Sequence, residues 1–235
     1  MLKKIMIIVA VMMFGMVSAA SAADINLTNW TQEGLPENGI WTVSEGGNYV
    51  IQSATNDSNP TYFVSDTNYI NTEIKGTFEV IDSIDDDYIG LVFGYNGLDD
   101  FLLFDWKRGT DWDVYQGFRL SKITDNSNVD YWNHTGTGIE VLDSLLNWSG
   151  WGWENNTEHA FTLTYDSDNI QIDIDGTTIF DIAGTFSDGK FGFYDYSQRD
   201  VKYGVSAVPV PPTILLLGSG FIGMITVGRR KFFNN

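Results

Sequence analysis

Between residues 169 and 175 the side chains alternate strictly. Ile170, Ile172 and Ile174 share one face, and Gln171, Asp173 and Asp175 share the other. A two-residue period makes a strand with one buried face, whereas an amphipathic helix needs apolar residues three or four apart. Alternating, β-branched or aromatic runs also occupy 73–81, 88–95, 101–106, 161–165 and 191–196. Asn96-Gly97, Asp175-Gly176 and Asp188-Gly189 lie between apolar runs, where tight hairpins favour such pairs. Only VLDSLLNW, 141–148, has helical spacing, and it is brief. The pattern predicts an all-β sandwich or barrel of short antiparallel strands. Residues 107–160 differ, being rich in Asn, Asp, Gly and Trp with weak periodicity. They predict long polar loops of the kind that carry binding.

The two ends break this pattern. Residues 1–23 start with Lys3 and Lys4, continue through an apolar run from Ile5 to Val17 and exit through SAASAA. That is the layout of a secretory signal helix, cut after Ala20, Ala22 or Ala23, with Ala22 and Ala23 preferred, or else kept as an anchor. At the far end Pro209, Pro211 and Pro212 stop any strand, and 213–227 form an apolar run of 15 residues before Arg229, Arg230 and Lys231. This is shorter than the roughly 20 residues of a spanning helix, but workable with basic flanks that stay cytoplasmic. A final apolar strand is the other reading, which Gly218, Gly220 and Gly223 oppose. The tail resembles the PEP-CTERM sorting signal, in which a Pro-Glu-Pro-like motif, a short apolar helix and a basic end are recognised by an exosortase. Here Pro209, Val210 and Pro211 occupy the motif, with valine in place of glutamate. The resemblance implies an exosortase-type partner, with the tail either cut or retained. The expected division is a leader at 1–23, a β-sandwich at 24–207 and a sorting or transmembrane tail at 208–235. The body is then exported, at the cell surface or outside the cell, and anchored in the inner membrane transiently or permanently.

The body carries all 31 acidic residues but only eight of the 13 basic ones, the others being Lys3, Lys4, Arg229, Arg230 and Lys231, so its formal charge is −23. Such a surface repels phosphate backbones and excludes nucleic acid as a partner. It attracts cations without selectivity. There is no cysteine, so disulfides, thiol catalysis and thiolate metal sites are excluded. Stability must come from the core and from ions.

Asp85, Asp86 and Asp87 run directly into the apolar strand at 88–95. Neighbouring carboxylates repel, and a hard cation converts that repulsion into attraction, because calcium takes six to eight oxygen ligands. The triplet is therefore a calcium site or an acidic, solvated loop; the spacing is not that of an EF-hand. Asp99 and Asp100 either join the metal or solvate the hairpin after Asn96-Gly97. INTEIKGTFEV, followed by DDDYIGLVFGYNGLDDFLLFDWKRG, resembles the C-terminal domain of thrombospondins. In that family an Asp triplet precedes a strand of the form hydrophobic-Gly-hydrophobic-Val-Phe-Gly-Tyr, and a second strand ends in a hydrophobic residue, Trp and Lys. YWNHTGTG, the pair Gly152-Trp153, and FGFYDYSQRD with Ser197 and Gln198 follow in order, so the likeness covers about residues 66–204. The segment WTQEGLPENGIWTVSEGGNYVIQS resembles bacterial exported relatives with sorting tails. The resemblance implies a lectin-like, concanavalin-like jelly-roll β-sandwich with Ca2+ near Asp85–Asp87, so that an ion rather than a lysine neutralises the triplet. The cysteines and calcium-repeat wire of thrombospondins are absent, so their matrix and receptor partners do not carry over.

Trp148, Trp151 and Trp153, with Trp132 and Tyr131 upstream, form either an aromatic platform for sugar rings or a loop whose rings pack inward. The second alternative is preferred, since Trp153 lies in the family Gly-Trp. Asp173 and Asp175 share a strand face, as carboxylates of a jelly-roll glycosidase would, yet a hairpin turn and a polar outer face explain them. His134 and His159 have no suggestive partners in the sequence, and no G-x-S-x-G elbow or phosphate loop is present. The expected function is a non-enzymatic, calcium-binding, lectin-like component of extracellular matrix, biofilm or exopolysaccharide. Its partner is an extracellular glycan or matrix protein. The alternative is a polysaccharide-acting enzyme on the same scaffold.

Overall fold

The computed structural model describes residues 23–55, 59–111, 113–147 and 150–209. Within them fifteen strands build two antiparallel sheets. In chain order they are β1 (Ala23–Asp24), β2 (Thr31–Gly34), β3 (Trp41–Val43), β4 (Tyr49–Gln52), β5 (Thr61–Asn68), β6 (Thr72–Val80), β7 (Tyr88–Gly97) and β8 (Asp100–Lys107). There follow β9 (Gly117–Ile123), β10 (Ile139–Leu146), β11 (Glu158–Tyr165), β12 (Asn169–Ile174), β13 (Thr177–Ala183), β14 (Lys190–Tyr196) and β15 (Val201–Pro209). The first sheet runs β13-β12-β11-β6-β15-β4-β3, with β1 also paired to β15; the second runs β10-β9-β8-β7-β14-β5-β2. This is the all-β jelly-roll sandwich expected. The leader and the apolar tail helix lie outside the described residues, except that Ala23, counted with the leader, pairs with Ala207 in β1. No helix among the described residues is long and apolar enough to cross a membrane.

The alternation at 169–175 does what its period requires: Ile170, Ile172 and Ile174 are buried in the inner core. There they meet Phe104 and Phe118 of the facing sheet, together with Phe161, Phe191, Phe193 and Tyr203. Each such side chain contributes about 1.5–3 kcal/mol by leaving water, and no disulfide supplements them. Strand β7 is buried on both faces over its first eight residues, because a second apolar layer covers the outer face of its sheet. Tyr62, Val64, Tyr88, Val92, Leu103 and Tyr194 form that layer, with Tyr131 brought over them by the segment between β9 and β10.

Two local expectations change and one holds. VLDSLLNW is not helical where described; its first six residues lie in the edge strand β10. A bulge between Val141 and Asp143 resets the alternation, so Leu142 and Leu145, three apart, both pack on the inner core and mimic a helical spacing. Asp175-Gly176, both at positive φ, forms the β12–β13 hairpin as expected. Asp188-Gly189 does not make a hairpin. It joins β13 to β14 in different sheets, and a Cβ at Gly189 would collide with the backbone of Gly94 and Tyr95.

Candidate metal centre and its surroundings

The loop before β7 ends in Asp85, Asp86 and Asp87, and carboxylate oxygens of the three lie within 4.8 Å of one another. Asp85 and Asp86 are half-buried and Asp87 is buried. The β7–β8 register sets Lys107 opposite Tyr88, so its ammonium arrives beside the triplet. Lys107 Nζ stands 2.7 Å from Asp87 Oδ1, 3.6 Å from Asp86 Oδ1 and 3.4 Å from the Asp86 carbonyl, with its side chain 0% exposed. The expectation that no lysine neutralises the triplet is therefore corrected. A chain already short of basic residues spends one here, a single positive charge paired with Asp87 and Asp86 against three carboxylates. Partial burial, reinforced by the charge of Asp87, pushes the Asp85 carboxyl up to about 6. The cluster remains an under-compensated nest of hard oxygen donors, the donor type a calcium ion takes. A Cβ at Gly109 would overlap the Asp86 carboxylate, so the glycine provides the room in which that group sits.

Distant segments fix the backbone of this loop. Gln198 Oε1 accepts from the Asp87 amide at 3.2 Å, and its Nε2 donates to Ser83 Oγ at 3.0 Å. Ser83 Oγ in turn accepts from the Asp85 amide at 3.2 Å. Trp153 Nε1 donates to the Asp87 carbonyl at 3.1 Å, and the Arg108 amide donates to the Asp86 carbonyl at 3.1 Å. Behind them Asp195 is fully buried and accepts from Gln52 Nε2 at 2.7 Å and from the Tyr203 hydroxyl at 3.2 Å. Desolvation holds its carboxyl well above the usual carboxylate range, and the charges of Asp87 and Asp85 push the same way. In the sequence Gln198 stood only as a motif letter and Trp153 as a motif letter and candidate platform ring, while Gln52, Ser83 and Asp195 were missed. No local spacing announces them.

The other expected site residues disperse. Asp99 and Asp100 lie at the opposite end of the β7–β8 hairpin from the triplet, roughly 30 Å away at strand rise. There Asp99 Oδ1 accepts from the Asn126 amide at 2.8 Å, and Asp100 faces Asn96. They join a turn rather than the cluster. Trp148 lies outside the described residues. Trp153 is buried in the inner core, and half-buried Trp151 packs edge-on against Phe118 at 5.6 Å. Tyr131 and Trp132 belong to the outer layer on the other face of the second sheet. Tyr131 is buried, and Trp132 is half-buried beneath the Lys107 ammonium at 4.7 Å. These described rings form no common platform. Both histidines do have carboxylate partners, contrary to expectation. His134 Nε2 is 2.7 Å from Asp105 Oδ2, and His159 Nδ1 is 2.8 Å from Asp175 Oδ2. Asp173 faces Gln171 and Asp175 faces His159. Pro209 ends β15, while Pro211, Arg229 and Arg230 lie outside the described residues.

The sandwich resembles solved carbohydrate-recognition structures. The carbohydrate-binding module CBM66 from Bacillus subtilis aligns with a TM-score of 0.54 at 16% identity, covering 77% of this chain and 93% of the module. The VIP36 exoplasmic/lumenal domain, in its Ca2+/Man3GlcNAc-bound form, aligns at 0.51 and 14%, covering 77% and 85%. Thrombospondin-2 of Gallus gallus is 25% identical over 193 residues, and the cartilage oligomeric matrix protein of Bos taurus is 23% identical over 186. These alignments cover 69% and 68% of this chain but only 16% and 24% of those proteins. The profile of the thrombospondin C-terminal region matches residues 36–208. With the Asp triplet, Gly152-Trp153 and Gln198 meeting at one loop inside that span, the chain belongs to the thrombospondin C-terminal family.

Proposed function

We propose that this chain is an exported, calcium-binding, lectin-like binding module. It joins an extracellular glycan or matrix protein in extracellular polymer or biofilm. One observation carries the reading: three carboxylates within 4.8 Å share a single buried ammonium. Asp85, Asp86 and Asp87 would hold the ion, which supplies the positive charge that Lys107 alone does not. Gln198 and Trp153 hold the loop backbone in place, and Gly109 leaves room for the Asp86 carboxylate. The jelly roll shared with a carbohydrate-binding module and with a Ca2+- and glycan-bound lumenal domain supports the glycan half of the proposal. The leader at 1–23 would export the chain. The tail at 208–235 would hold it in the membrane until an exosortase-type enzyme acts on it.

The test is thermal unfolding of the full chain in EDTA, in calcium and in magnesium. A site filled to between a hundred and a thousand times Kd adds about 2.7–4.1 kcal/mol to stability. Calcium should raise the melting temperature, magnesium should do so far less, and Asp86→Asn should remove most of the gain. Equal, small effects of both ions would reduce the triplet to an acidic loop. The reading is non-enzymatic, so release of reducing ends from an extracellular polysaccharide would favour the enzyme alternative instead.

A further inference from the structure

Every described buried side-chain polar atom without a hydrogen-bond partner lies in one place, the layer over the outer face of the second sheet. They are the hydroxyls of Tyr62, Tyr95, Tyr194 and Ser121, together with Asp105 Oδ1, Arg119 Nη1 and His134 Nδ1. An orphaned buried polar group costs about 1–3 kcal/mol, so this layer is the least satisfied polar region among the described residues, and Arg119 and His134 are its members that reach a cavity. At one edge of that layer a cavity of about 310 Å³ opens between the 113–115 segment and the 131–134 turn. This is within the about 300–1,000 Å³ of small-molecule sites. Arg119 and His134, 6% and 8% exposed, form its floor; Tyr115, Val141, Ser144, Asn133 and the carboxylate-bearing Asp113 are among its walls. Tyr115 and Val141 are 40% and 42% exposed, which is unusual for large apolar side chains in this protein.

We infer that this cavity binds one unit of a neutral sugar, an inference that rests on the glycan-binding reading above and adds to it a place and a sugar class. The floor sets the chemistry. Arg119 lines the cavity and its Nη1 has no hydrogen-bond partner, while Asp105, its ion-pair partner at 3.8 Å, is fully buried. A hydroxyl, directly or through one bridging water, accepts from the guanidinium. A ligand carboxylate would satisfy Arg119 but meet the Asp113 carboxylate in the same lining, and the body charge of −23 opposes its approach. His134 Nε2 pairs with Asp105 Oδ2 at 2.7 Å, which leaves Nδ1 as a further hydrogen-bonding atom. The exposed Tyr115 ring supplies the apolar face that a sugar ring stacks on, and the Ser144 and Asn133 side chains serve outer hydroxyls. Ser144 is held opposite Arg119 by the β9–β10 register.

The test titrates the isotope-labelled full chain with methyl glucoside, methyl galactoside, methyl mannoside and methyl fructoside. Sodium glucuronate is the charged comparison. The expected result is that at least one neutral glycoside shifts the amides of Tyr115, Val141 and Ser144. Tyr115→Ala should then weaken its binding about tenfold with no change in melting temperature. Arg119→Lys should weaken it further. Because Tyr115 is exposed, its variant keeps the test valid even where Arg119→Lys fails to fold. A neutral glycoside that binds elsewhere, indifferent to Tyr115→Ala, overturns the site and leaves the glycan reading standing. Glucuronate alone binding in this cavity overturns the neutral class. No response to any of the sugars overturns the site and the glycan reading together.

Discussion

The Lys107 ammonium lies 2.7 Å from Asp87 Oδ1 with its side chain wholly buried, also facing the rings of Trp132 at 4.7 Å and Tyr88 at 5.3 Å. Removing one partner of such a pair strands the other charge in a poorly solvated place. Lys107→Met should cost about 3–5 kcal/mol in EDTA. In saturating calcium the loss should shrink, because the ion restores the missing positive charge. Urea unfolding midpoints under the two conditions decide this, and equal losses would mean that no ion contributes.

Gly109 sits where any Cβ would overlap the Asp86 carboxylate. The Asp86 side chain is 40% exposed, so it can swing into solvent and the fold survives. Gly109→Ala should leave the melting temperature in EDTA nearly unchanged and remove most of the calcium-dependent rise. Calorimetry with and without calcium reads both. A full calcium response in the variant would place the ion away from Asp86.

Asp195 gives a pH dependence of definite sign. Its carboxyl is held well above the ordinary aspartate range by burial, opposed by its bonds to Gln52 and Tyr203. Above about pH 4 the folded chain therefore keeps a proton that the unfolded chain has released. The stability contributed by Asp195 is full below that pH and is lost as pH rises through the folded value. In EDTA, Asp195→Asn should flatten the fall in unfolding free energy from about pH 4 towards neutrality. Parallel curves for the two proteins would show Asp195 ionised in the fold.

Trp153 separates packing from recognition. Its ring is in the inner core and its Nε1 holds the Asp87 carbonyl at 3.1 Å. Trp153→Ala should cost about 3–5 kcal/mol. Trp153→Phe keeps most of the packing and loses the hydrogen bond, worth about 1 kcal/mol. Denaturant unfolding at constant slope measures both. If Trp153→Ala left stability intact and weakened glycan binding, the ring would be a stacking face after all.

Local chemistry along the chain was enough for the class of fold. The two-residue period at 169–175 and the apolar runs of β7 and β8 can only be satisfied by strands. Asp175-Gly176 turns where its left-handed backbone predicts. Other strands stayed hidden because their polar residues are buried by something the local pattern does not contain. β9 carries Arg119 and Ser121 into the layer beneath Tyr131 and His134, so it never alternates like a strand with one wet face. In β10 the bulge breaks the period outright.

The triplet was visible as a run of like charge; its counter-charge was not. Lys107, Trp153 and Gln198 lie 20, 66 and 111 residues from Asp87 along the chain. They meet it because strand register and sheet order carry three separate segments to one end of β7. The same order sends Asp99 and Asp100 to the far end of that hairpin, although only a dozen residues separate them from the triplet in sequence. A strand turns short sequence separation into distance, and a sheet turns long separation into contact. Residue type showed which groups could bind a cation, and packing chose which of them stand together.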